Sequence, residues 1–256
     1  MSLIRTLFLF SLCVLFWTCT DDDAPTEDAT VTVNFRATFG NEDLEIFSDR
    51  YDYADQDSRL LISLFQFYMS DLQLVPTDGG EPITLTEIEL VRWNNSTDPS
   101  ELSFSYDGIP DGSYNIQFGL GVKPELNNRN PNEFAADFVL NENEFWNENA
   151  RYVFTKIEGN AELENDDMFD TALSYHLGKN DFYTTLQWPG TDATIDVSSE
   201  LNNEVDFTVD ILRMMAESET SFTDFRDEAN QIIHNPNSPI AAQQWSNLQQ
   251  AIALIR

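Results

Sequence analysis

The whole chain has two histidines, His176 and His234. At neutral pH an imidazole is largely uncharged, so its lone pair is open to copper or zinc without displacing a proton. Two such ligands do not hold a metal tightly. A third donor is needed, such as a methionine or a carboxylate. The plainer alternative makes His176 a strand residue bonded to backbone and His234 the last residue of a helix, where the dipole favours it. Trp146 is the third residue of interest. Phe145 and Trp146 stand inside a strongly polar stretch, residues 141–149 (NENEFWNEN). An aromatic pair there either tucks into the body as a plug or presents a ring to a partner.

A different chemistry is offered by residues 162–170 (ELENDDMFD), five carboxylates in nine positions. Glu162, Glu164, Asp166 and Asp170 supply hard oxygen donors of the kind calcium takes. The spacing resembles the first half of a calcium loop. However, Asp167 stands where the sharp turn wants glycine, and Leu173 where a closing glutamate belongs. A solvated acidic hairpin is the alternative. No Gly-x-Ser-x-Gly elbow, His-Glu-x-x-His helix or phosphate-cradling glycine loop is present, so the expectation is a protein that is not an enzyme. With 45 acidic residues available, any single pair of carboxylates is uninformative as a glycosidase signal.

The elements that must position these residues are mostly strands. The 256 residues carry 13 Lys+Arg against 45 Asp+Glu, a formal charge of −32. Such a surface repels phosphate backbones, so no nucleic acid is expected as a partner. Yet 41% of residues are hydrophobic and 19 are Phe, enough for a real core. Val31, Val33 and Phe35 alternate with polar residues. So do Tyr114, Ile116, Phe118, Leu120 and Val122, and later Val205, Phe207, Val209 and Ile211. Residues 60–75 read as one long strand with a break near Ser70-Asp71, and 152–157 as another. Leu173-Tyr175-Leu177, Phe182-Thr184-Leu186 and Ile195-Val197 follow. Asp78-Gly79-Gly80, the run 107–112 and Pro189-Gly190 supply turns.

Helices are few. Residues 221–234 have helical composition. Ser238-Pro239 reads as N-cap and first residue of a C-terminal helix with Ile240, Trp245, Leu248, Ile252 and Ile255 on one stripe. The expected fold is mainly β: a single antiparallel β-sandwich domain over residues 30–256, with a few short helices including a C-terminal one.

The N-terminus reads as an address. A short positive start is followed by a 13-residue apolar run, residues 6–18, ending at Cys19. That is the length of a signal-peptide core and too short to span a bilayer comfortably. Residues 1–18 are thus expected to be a lipoprotein signal peptide, with Cys19 the lipidated residue and 19–29 an acidic tether. An ordinary secretory signal cut elsewhere is the alternative. The acidic triplet 21–23 resembles surface-export signals of Bacteroidetes lipoproteins. The expected location is therefore extracytoplasmic: an outer-membrane lipoprotein, surface-exposed or periplasm-facing, touching membrane only through its lipid.

Several segments, in order, resemble the MbnP-like family of copper-binding lipoproteins. They are residues 64–74 (LFQFYMSDLQL), 112–122 (GSYNIQFGLGV) followed by Leu126-Asn127, Phe145-Trp146, 152–159 (YVFTKIEG), and 175–178 (YHLG). The resemblance implies a β-sandwich that binds copper through histidines and a tryptophan oxidised to kynurenine by a diheme peroxidase-like partner. It also implies outer-membrane transport components as neighbours. Carried across, His176 and His234 are the metal ligands, and Trp146 the oxidised ligand or lid. Glu144 and Glu148 stand where the family often has Met and a second Trp, and Arg151 replaces a small residue. The implied function is a non-enzymatic, lipid-anchored metal-binding protein. A surface module binding protein or glycan on the same sandwich, with no metal, is the alternative.

Overall fold

A computed structural model describes residues 28–48, 51–53, 58–140, 144–188, 193–218 and 220–255. Cys19, the signal segment and nearly all of the tether lie outside the described residues. The chain is mainly β, as its alternation predicts.

One sheet has five strands. Its centre is β1 (Ala29–Phe39), flanked by β14 (Asn203–Asp210) on one side and by β2 (Glu42–Asp43) and β6 (Glu101–Ile109) on the other; β18 (Ile252–Ile255) adds to β14. The second sheet has nine strands built on the 19-residue β4 (Ser58–Pro76). One edge of β4 pairs with β3 (Tyr51–Tyr53) and β5 (Ile83–Trp93). The other pairs with β7 (Gly112–Leu120) and β10 (Thr155–Glu162). Beyond β7 lie β12 (Thr184–Gln187) and β13 (Ile195–Val197). Beyond β10 come β11 (Thr171–Leu177) and finally the two-residue β17 (Ile232–Ile233). Two small hairpins complete the strands: β8 (Phe145–Asn147) with β9 (Arg151–Tyr152), and β15 (Ala216–Ser218) with β16 (Ser221–Phe222).

The break expected at Ser70-Asp71 is present. Asp71 takes a left-handed φ of 46°, and the β4–β7 register shifts between Ser70 and Gln73. There the pairing along that edge of β4 passes from β10 to β7, and Ser70 Oγ donates to the Gly121 carbonyl at 2.7 Å. Phe35 from β1 is the hub between the sheets. It stacks on Phe207 at 5.1 Å and meets Phe67 and Phe118 of the other sheet edge-on at 5.6 and 5.9 Å. Phe35, Phe67, Phe118 and Phe207 are all fully buried.

Four expectations need correction. The sandwich is not wholly antiparallel: β1 and β14 pair in parallel, as do β11 and β17. Residues 221–234 form no long helix but a strand, a 3-10 turn at Glu228–Asn230, and another strand. The side chains of Asp224 and Asp227 accept from the Arg226 and Ala229 amides, local bonds that compete with helix, while Phe225 is drawn inward to stack on Tyr53. The C-terminal helix α3 (Pro239–Ala251), after α1 (Pro124–Asn127) and α2 (Ile211–Met215), starts at Ser238, whose hydroxyl accepts from the Ala241 amide. It stops at Ala251, because Ile252–Ile255 satisfy their backbone by pairing with β14 instead. The segment read as one strand over 152–157 is two. Tyr152 belongs to the small hairpin, and Thr155 opens β10. Smaller shifts accompany these: β1 opens at Ala29, within the span read as tether, and Phe182 lies in a 3-10 turn rather than a strand. No described helix is long and apolar enough to cross a membrane.

Candidate metal centre

Sheet pairing brings the two histidines together. His176 lies on β11 with its side chain on the outer face, opposite the buried Tyr175 and Leu177. β17 runs parallel to β11 with Ser174 opposite Ile232 and Tyr175 opposite Ile233. Continuing that register by one residue sets His234 beside His176. Adjacent strands lie about 4.8 Å apart, and the two imidazoles stack with centroids 4.6 Å apart and planes 21° from parallel. His234 therefore follows a strand rather than ending a helix. The two rings share one neighbour: Ser174 Oγ lies 2.9 Å from His234 Nε2 and 3.4 Å from His176 Nε2.

Trp146 completes the group. Its indole meets His234 edge-on at 5.0 Å and His176 at 5.7 Å. It is 42% exposed, so it is a cover over the imidazoles and not a plug in the core. The register of its hairpin explains the aim. Phe145 faces Tyr152 and Asn147 faces Arg151, leaving Trp146 as the extra residue of a bulge. A bulge turns a side chain out of the regular alternation. Beneath it Gly178 permits close approach: a Cβ there would come within 2.5 Å of the Tyr152 carbonyl oxygen. That explains the glycine two residues after His176.

Two more residues belong to the site beyond those the sequence indicates. Glu158 Oε1 lies 2.6 Å from His176 Nε2. Ser174 sits between both rings. Its position two before His176 on a strand was a usable signal, since residues i and i+2 share a face. Glu158 comes from β10, and only the pairing of β10 with β11 brings it near.

The His234 ring is held below the ordinary imidazole pKa. Partial desolvation is the main cause and the neighbouring His176 the second, with the Glu158 carboxylate opposing both. In the window between this lowered value and the free value near 6.5 the unfolded chain binds the extra proton, so stability falls as pH drops through it. We expect the His234 ring protons, followed by NMR, to titrate below pH 6.5.

The acidic stretch behaves differently. Glu162 is buried, accepts the Asp166 amide at 3.0 Å and faces Arg59 at 3.4 Å, while Arg59 also reaches Asp167 at 2.5 Å. A guanidinium already engages two carboxylates at that corner, and Asp166 turns back to accept the Met168 amide. Among the described residues no set of three or more His, Cys, Asp or Glu side chains is arranged to hold a metal. Calcium thus has no cage of that kind at Glu162, Glu164, Asp166 and Asp170. The imidazole pair is a two-nitrogen site with a hydroxyl, a carboxylate and an indole around it.

Among curated proteins none matches this chain. A solved structure, MbnP from Methylosinus trichosporium, is similar over 75% of this chain and 78% of that one, with 14% identity and a TM-score of 0.48. The family model described as MbnP matches residues 28–235, a span that opens just before β1 and closes just after His234. With all three residues of the aromatic cluster inside a match that covers most of its length, the chain belongs to the MbnP family.

Proposed function

We propose that this protein captures copper at the His176–His234 pair and does no chemistry on it. The observation that carries the reading is the convergence of the only two imidazoles on one hydroxyl beneath one indole. The donor chemistry fits: imidazole suits copper, which stands highest among the divalent first-row metals in affinity for nitrogen sites. Structural zinc asks for four closed protein ligands, a richer set than two rings offer. His176 and His234 would hold the ion, Trp146 would cover it as lid or as oxidised ligand, and Glu158 would orient His176.

The formal charge of −32 supports cation capture, since it raises local cation concentration in a way that fades with salt. We place the protein outside the cytoplasm, anchored to the outer membrane by lipid on Cys19, with a diheme peroxidase-like protein as the agent of any Trp146 oxidation.

A copper titration against a competing chelator tests the site. The expected result is one bound equivalent, and failure to retain copper against even a weak competitor would sink the proposal and leave the surface-module alternative. Intact mass of protein from its native host reads the lipid on Cys19 and the oxidation state of Trp146 in one spectrum.

A further inference from the structure

Glu144 stands two residues before Trp146 in a strongly polar stretch, yet its side chain is only 3% exposed. Its carboxylate accepts from Gln66 Nε2 at 2.9 Å, from Lys156 Nζ at 2.7 Å and from Arg92 Nη2. Arg92 Nε in turn donates to Gln66 Oε1 at 2.7 Å. A carboxylate taken out of water survives as an ion when paired and bonded in this way.

The three donors are not scattered. Arg92 pairs with Gln66, Gln66 with Lys156, and Lys156 with His176, so they form one row across the outer face of the nine-stranded sheet. Glu144 grips the row that ends in the metal site. Its backbone carbonyl also accepts the Val153 amide at 2.9 Å, closing the base of the hairpin that carries Trp146. Two residues of chain reach at most about 7 Å, so where Glu144 is pinned, Trp146 must follow. The other bonds of the hairpin are of two kinds. Phe145 on Tyr152, Asn147 to the Asn149 and Ala150 amides, and Arg151 to Glu148 act within it. Tyr152 to Asn127 and Glu148 to Asn130 tie it to the α1 side.

We infer that Glu144 is the positioning residue that sets the Trp146 indole over the His176–His234 pair, by locking the hairpin base to Gln66, Lys156 and Arg92. This deepens the copper reading and rests on it for its purpose, though the positioning itself is testable without metal. It also gives a role to a position where the family resemblance leads one to expect methionine.

The test is NMR of histidine-labelled, metal-free protein. An indole edge-on to both imidazoles shifts their ring protons, and W146A defines the positions without it. In E144A both sets of histidine signals are expected to move more than half of the way to the W146A positions. E144Q retains an acceptor oxygen and should move them less, in the same direction. Should removal of the anion prevent folding, E144M/R92M removes the grip without stranding Arg92 and is expected to match E144A. Histidine signals that stay at wild-type positions in E144Q and in whichever of E144A and E144M/R92M folds would overturn the inference. So would a W146A spectrum identical to wild type. Copper titration of the same samples separates the two claims. Displaced signals in a protein whose wild type binds no copper would leave Glu144 as positioner and remove the capture function.

Discussion

Replacing His176 or His234 with alanine is expected to lower copper affinity by at least about 100-fold, and replacing both to abolish it. Loss of an outer-shell partner of a ligand typically costs 10–100-fold, and removing one of two nitrogen donors must cost more. The geometry offers no substitute imidazole, because these two are all the chain has. Each single variant should still fold, since His234 is solvent-exposed and His176 lies on the outer face of its sheet. The measurement is a chelator competition at pH 7.5, with circular dichroism to show an unchanged β signal. Either single variant binding copper as tightly as wild type would remove that residue from the site.

Phe35→Ala should have the largest effect on stability and almost none on the imidazole pair. Phe35 is fully buried and lies within ring-contact distance of Phe67, Phe104, Phe118 and Phe207, which joins the two sheets. Truncating a buried phenylalanine costs about 3–5 kcal/mol. For a domain of this size that lowers the melting temperature by on the order of 10 °C. At 20 °C the copper affinity of the folded fraction should be unchanged, because the imidazoles sit on the outer face of the nine-stranded sheet, away from the intersheet core. A melting temperature within a degree of wild type would mean that the aromatic cluster is not the hub we describe.

Much of the fold is legible from residue types. The alternation at Val31, Val33 and Phe35 and at Val205, Phe207 and Val209 appears as buried and less buried positions on β1 and β14, except at Asn34, which is buried and donates to Asp206. Ser238-Pro239 starts a helix because a hydroxyl acceptor and a residue lacking an N–H suit that end of any helix. The break in β4 coincides with the small polar pair that interrupts its apolar run. Residues 221–234 misled for the opposite reason. Their spacing fits a helix, but Phe222 and Phe225 find Tyr53, and the aspartates turn the backbone locally. Glu144 misled too. As a letter in a polar run it reads as loop charge; placed against Arg92 and Lys156 it is a buried anchor.

What the amino-acid order alone determined is the inventory and the local periods: two imidazoles, an aromatic pair in a polar stretch, alternating strands and a capped C-terminal helix. Only the tertiary structure decided that the imidazoles meet. His234 reaches Ser174 across sixty positions of sequence because two residues of β17 pair in parallel with β11. Strand period states which side chains share a face, but not which distant strand will lie alongside or in what register. That choice is made by the burial of Tyr175 and Ile233 on the inner side, and it carries His176 and His234 to the same point on the outer one.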